Sequence, residues 1–306
     1  MSGTICFAIG AAILSHLLLA LLWLGWAAPW LIAGLFLAAL AGLCYLLISR
    51  VPDISWQRAD LAFLPFGLLY LIHALAPETT SDAIAYHLGL PAEWLRAGGF
   101  TGRSGFFETI PHGLETLFAA AIPLGGYTAA KLVHFAFFAA TVPLIIDVAR
   151  GFGFDGRPAA LLYFASPVAA MAGTAAYNDA ALAFYTLAAF YLLERGGSEH
   201  AGPAGLAAGF CYAIKLSGGV VTLAAAVVLA SRRSWRGLAA IAFMVTPWLA
   251  HSWWLSGNPV APMLLSWFPS PAFHPVTVAG WSEYVRSYGA SWAGAERLRI
   301  HPERHE

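Results

Sequence analysis

The chain has 306 residues, 59% hydrophobic and only 10% charged, with a mean hydropathy of +0.69. Soluble domains carry about a quarter charged residues, so this composition belongs to an integral membrane protein. Sixteen basic and sixteen acidic residues cancel, which argues against nucleic acid as a partner.

The N-terminus turns hydrophobic at Ile5 without a basic segment before it, and its apolar run is too long for a signal peptide, so it reads as a first span. Blocks of spanning length, about 20 residues each, lie at 4–26, 29–49, 58–76, 127–149, 158–176, 179–193 and 235–255. The block 203–230 is too long for one crossing: about 28 residues at ~1.5 Å rise reach ~42 Å, against a hydrocarbon core of ~30 Å. Lys215-Leu216-Ser217-Gly218-Gly219 at its centre reads as a break between two short helices. Cys6, Cys44 and Cys211 each sit inside an apolar run, without metal-ligand spacing, and read as packing residues.

The arginines set the parity. Arg50 and Arg58 flank one short loop, Arg150 and Arg157 a second, Arg195 a third, and Arg232, Arg233 and Arg236 a fourth. Placing all four in the cytoplasm predicts an all-α polytopic bundle of nine passes, N-terminus inside and C-terminus outside. A single crossing by 203–230 is the competing topology, and it puts Arg195 or the Arg232–Arg236 cluster outside. The transmembrane domain then covers 1–268, with a Pro-rich, then polar, outer tail at 269–306.

The outer loop 77–126 holds the most polar long stretch before residue 195. It carries Glu78, Asp82, Glu93, Glu108 and Glu115, with Arg96, Arg103, His87 and His112. Ser81 predicts the cap of a helix from Asp82, Pro91 a kink in it, and Gly98-Gly99 its end. Ile84, Leu88, Trp94 and Leu95 suggest that this helix lies on the membrane surface. A second surface helix is expected over 112–124.

Several of these groups have two readings. Asp82 suits either a general base or a first-turn carboxylate that offsets the helix dipole. His87 follows by five positions, about 140° around an α-helix, so spacing implies no direct pair with Asp82. Glu108, His112 and Glu115 keep an i, i+4, i+7 spacing that suits a divalent metal or a solvated face, although Pro111 interrupts it. Asp179, after Tyr177-Asn178, is a cap or a second site acid. Lys215, one of two lysines with Lys131, either snorkels or holds a phosphate oxyanion. His251, Trp253, Trp254 and Asn258 close the last span, where the tryptophans suit an interface belt.

Beside this reading stands a resemblance. The order Pro77…Asp82-Ala83-Ile84-Ala85-Tyr86-His87-Leu88…Pro91…Trp94-Leu95…Gly98, then Pro111…Glu115, resembles the first outer loop of bacterial GT-C type membrane glycosyltransferases, the protein mannosyltransferase-like and aminoarabinose transferase-like enzymes. Asp179, Ala207-Ala208-Gly209-Phe210 leading to Lys215, and Pro247-Trp248 before Gly257-Asn258-Pro259-Val260…Pro262 fit the same pattern in the same order, so the similarity covers roughly Leu61 to Phe268. It implies transfer of a sugar from a polyprenyl-phosphate donor to a lipid, glycan or protein acceptor on the outer face of the plasma membrane, with Asp82 as the catalytic base. Glu78, His87, Arg96, Arg103, Glu115, Asp179, Lys215, His251 and Asn258 are then the expected substrate-binding residues. Relatives of that type continue with further spans and often an outer soluble domain, so the resemblance implies a shortened member, a fragment, or one part of a two-chain system in which a partner chain supplies the C-terminal part. A transporter or flippase of lipid-linked sugars, or a non-catalytic membrane subunit, is the alternative.

Overall fold

The computed structural model describes residues 2–48, 57–265, 267–270 and 272–288; Arg50 and the end of the outer tail lie outside them. Among the described residues every regular element is helical. Helices α1 (Gly3–Trp23) and α2 (Pro29–Ile48) precede a 3₁₀ turn (Arg58–Phe63) that runs into α3 (Leu64–Leu75). A π-helical turn (Ala83–Leu88) leads into α4 (Gly89–Ala97), followed by α5 (Gly113–Gly151), α6 (Arg157–Phe164), α7 (Pro167–Thr174) and α8 (Asp179–Arg195). Then come α9 (Ser198–Ile214), a 3₁₀ turn (Leu216–Gly218), α10 (Gly219–Ser231), α11 (Trp235–Ser256) and α12 (Pro275–Tyr288), the last within the expected tail.

Among the described residues five stretches are long and apolar enough to cross a membrane: Gly3–Trp23, Pro29–Leu46, Arg58–Leu75, Gly113–Gly151 and Trp235–Ser256. The other expected spans are shorter or broken. The block 158–176 becomes two helices of 8 residues each, because Pro167 cannot donate to the preceding turn and Ser166 Oγ instead accepts from Ala169 N–H at 3.5 Å. Helices α8 and α9 have 17 residues each and α10 has 13. The block 203–230 does divide at its lysine: Lys215 is extended (φ −156°, ψ 137°) between α9 and α10. Inside α5, Gly125 (φ −167°, ψ 28°) and Gly126 (φ 63°, ψ −153°) are non-helical, so the second helix expected over 112–124 ends where the glycine pair allows the chain to turn, but its residues Gly113–Ala121 are buried in the bundle and do not lie on the surface.

The centre of the bundle is built from small residues. Gly205 and Gly209 of α9, four apart, leave no room for a Cβ against Gly237 and Met244 of α11, the close approach that small-xxx-small spacing permits. Helix α9 also packs against α8 and α10, while α5 packs against α1, α2, α3 and α8. Buried polar bonds fix the register: Tyr185 O–H donates to Ala8 C=O at 2.6 Å and Ser15 O–H to Gly113 C=O at 2.7 Å. Outward faces are apolar, with Leu68, Ile72, Val220, Leu223 and Val227 all exposed.

The two ends of the bundle differ. At one, Arg157 Nε donates to Asp60 at 2.8 Å, Arg150 pairs with Asp147 at 3.3 Å, and Arg232 donates to Leu193 C=O at 2.6 Å. The other end holds the 77–112 segment, the turn before α8 and Lys215, and there His87, His112, Glu115 and Asn178 are buried.

Candidate functional site

The site grows from the local geometry of one turn. Pro91 has no N–H and its ring crowds the carbonyl four residues back. Residues 83–88, just ahead of it, are π-helical. Gly89 accommodates the wide turn: a Cβ there would lie 2.9 Å from Ile84 C=O. In a π turn residues five apart share a face. His87 Nε2 accordingly lies 4.0 Å from Asp82 Oδ2. The α-helical spacing argument against such a pair is corrected by this change of period.

His87 is itself buried, and its Nδ1 lies 2.5 Å from Glu115 Oε1. Glu115 is fully buried in the first turn of α5 and is the hub of the site. Asn178 Nδ2 donates both to Glu115 Oε1 and to Ile214 C=O, at 3.2 Å each. The neighbour of Asn178 is Asp179, whose Oδ1 accepts from Lys215 Nζ at 2.7 Å. Glu115 therefore joins the helical segment 83–97, the turn before α8 and the α9–α10 break in one cluster. The approach depends on Gly113, where a Cβ would meet Ala213 C=O at 2.8 Å and the Phe210 ring at 3.1 Å.

Asp82 and the Asp179–Lys215 pair face solvent, with side-chain exposures of 55% for Asp82, 51% for Asp179 and 41% for Lys215. Tyr86 O–H donates to Asp82 Oδ2 at 3.1 Å. Burial, followed by the charges of Asp82, Glu115 and Asp179, pushes the Tyr86 phenol well above its ordinary range, so it remains a donor. A wall of rings stands beside the acids: Tyr86 stacks on Phe107 at 4.3 Å, and His112 lies near Trp94 and Trp248.

Other candidates take different positions. Glu78 rather than Ser81 organises the entry to the helical segment 83–97, accepting from Thr79 N–H, Thr80 N–H and Thr80 O–H, while its second oxygen accepts from Ala176 N–H at 2.8 Å. Arg103 spends its guanidinium on Glu108 (2.7 Å) and Glu93 (2.9 Å), which folds the loop onto α4 instead of presenting a free cation. Arg96 is exposed on α4. The i, i+4, i+7 face does not form: Glu108 lies in a turn and bonds Arg103, while His112 precedes α5 with its Nε2 2.6 Å from Phe107 C=O. No group of three or more His, Cys, Asp or Glu side chains among the described residues is placed to hold a metal ion. His251 is buried against Phe100 at 4.3 Å and Trp23 at 5.5 Å. Asn258 is a turn anchor, donating to Met263 C=O at 2.7 Å and accepting from Val260 N–H at 3.0 Å.

Sequence reasoning passed over Asn178 and Tyr86 as site residues. The available signal was position: Asn178 adjoins Asp179, and Tyr86 follows Asp82 by four. Several buried polar atoms have no hydrogen-bond partner, namely His112 Nδ1, Glu115 Oε2, Asn178 Oδ1, Trp248 Nε1 and His251 Nδ1. Three of these belong to the Glu115 cluster, where Glu115 Oε2 lies 3.7 Å from His112 Nδ1. Such clustering is uncommon in a purely structural core, whose buried polar atoms are paired. Compared with protein-family models, curated proteins and solved structures, the chain gives no match.

Proposed function

We propose that the chain is a membrane glycosyltransferase that moves a sugar from a polyprenyl-phosphate donor to an acceptor at the outer face of the plasma membrane. One observation carries the reading: buried Glu115 links the segments bearing Asp82, Asp179 and Lys215, so a base and a cation share one end of the bundle. Asp82, exposed and oriented by Tyr86, takes the proton of the acceptor hydroxyl. The anomeric carbon forms its new bond to that oxygen as its bond to the phosphate oxygen breaks. The electron pair leaves on the phosphate.

Lys215 receives that charge. Negative charge on the departing phosphate grows along the reaction, so a cation placed there binds the transition state more strongly than the bound donor. Asp179 holds the ammonium in place until the donor arrives. Arg103 is engaged by two carboxylates, which leaves Lys215 as the cation tied to the Glu115 cluster through Asp179 and Asn178. The nine-pass topology belongs to the same proposal. Its support is that the described arginines Arg150, Arg157 and Arg232 bond at the end of the bundle opposite Glu115, as a cytoplasmic end would require.

The test is release of free polyprenyl phosphate from a polyprenyl-phosphate sugar by the purified chain in detergent. Release that disappears in Asp82→Asn supports transfer. No release in detergent, with movement of the same lipid across reconstituted vesicles, establishes a transporter instead.

A further inference from the structure

Resting on that reading, we propose that His87, oriented by Glu115, is a second proton station behind Asp82. Asp82 takes the hydroxyl proton from the acceptor, and His87 Nε2 then takes it from Asp82. The geometry supplies each part. The imidazole is buried and clamped at Nδ1 by the Glu115 carboxylate, which fixes its tautomer: Nδ1–H points at Glu115 and the Nε2 lone pair faces Asp82. The 4.0 Å between Nε2 and Oδ2 closes when the exposed Asp82 carboxylate rotates, or when one water bridges them. Glu115 lies at 0% exposure and compensates the imidazolium that forms.

The balance is complete without a further reactant. The C–O bond to the acceptor forms and the C–O bond to phosphate breaks, with its electrons on the leaving group. The proton passes from hydroxyl to Asp82 to His87, and returns through Asp82 to water once the product leaves. Asp82 is thereby a carboxylate again for the next acceptor. The relay is tuned by the groups around the ring. These are Asp82 and Tyr86 from its own helix, His112 just before α5, Glu115 and His134 from α5, Tyr177 and Asn178 from the turn before α8, and the Asp179–Lys215 pair from the start of α8 and the α9–α10 break.

His87 acts through Asp82 and is a positioning residue, so its test needs more than lost activity. With the full chain in detergent and a polyprenyl-phosphate sugar as donor, His87→Gln is expected to lower kcat about a hundredfold. Donor KM should stay unchanged, and the acid limb of the kcat–pH profile should shift to that of Asp82 acting alone. An unchanged acid limb overturns the relay. If the wild type turns over no donor, sugar transfer fails, and the relay is decided separately by ¹⁵N-histidine NMR of the same preparation. A strongly downfield Nδ1 proton that vanishes in Glu115→Gln, together with an Nε2 resonance displaced by Asp82→Asn, supports it. An Nε2 resonance indifferent to Asp82→Asn overturns it, and because Asp82 is exposed that variant keeps the fold.

Discussion

The arginine end of the bundle and the Glu115 end each hold several ionisable groups, yet they use them in opposite ways. Arg150 answers Asp147 three residues away with its side chain 65% exposed, a pairing that water and salt weaken. Glu115 answers His87 and Asn178 from other segments, at 0% exposure, and leaves one carboxylate oxygen without a partner. The first pair closes within a single helix. The second spends stability on buried polar groups, and that expense marks a site more reliably than the number of charges does.

The sharpest way to break this contrast is catalytic. Asp82→Asn should lower donor turnover by about 10²–10⁴-fold, the usual worth of a general base, with membrane insertion and melting temperature unchanged. Wild-type turnover by that variant removes Asp82 from the mechanism.

Next comes stability. Glu115→Ala leaves His87 and Asn178 facing an empty position, and removing one partner of a buried pair costs about 3–5 kcal/mol. Arg150→Ala at the other end should stay within about 0.5 kcal/mol, the range of most surface changes. Thermal unfolding of both variants in detergent measures the difference, and equal losses would erase the distinction between the ends.

Between these lies Gly113→Ala, whose new methyl meets the Ala213 carbonyl and the Phe210 ring. Overpacking of this kind costs about 1–3 kcal/mol. It should also weaken donor turnover, since it pushes Glu115 away from the α9–α10 break. Full activity in a destabilised Gly113→Ala protein would separate packing from the site.

The smallest effect concerns pH. Burial alone would raise the Glu78 carboxyl, but hydrogen bonds accepted from Thr80, Ala176 and Thr79 outweigh it and hold the group below its ordinary range. A depressed folded-state value adds stability above the ordinary glutamate range, about 4.3, and that stability fades as pH falls through the folded value. The melting-temperature gap between wild type and Glu78→Gln should therefore be widest near neutrality and narrow in acid. A gap that widens in acid contradicts this account of Glu78.

Much of the architecture was written in local residue patterns. The break at Lys215, the end of α4 at Gly98 in a left-handed conformation (φ 72°) and the turn at Gly125-Gly126 fall where glycines and charge interrupt apolar runs. These are properties of neighbouring residues and so survive without knowledge of the fold. The uninterrupted span expected over 158–176 misread Ser166-Pro167, since average hydropathy ignores a missing N–H.

The sequence by itself determined the helical, membrane-type character of the chain and the residue types that chemistry would draw on, because composition and period are local quantities; of its nine expected passes, five stretches among the described residues are long and apolar enough to cross. Tertiary structure alone decided which of those residues meet. It widened the turn after Asp82 until His87 came to the same face, and it turned Arg103 away to Glu93 and Glu108. It also carried Glu115 against Asn178 from 63 positions away. A side chain's partner at that separation is set by helix packing, and packing is a property of the whole bundle.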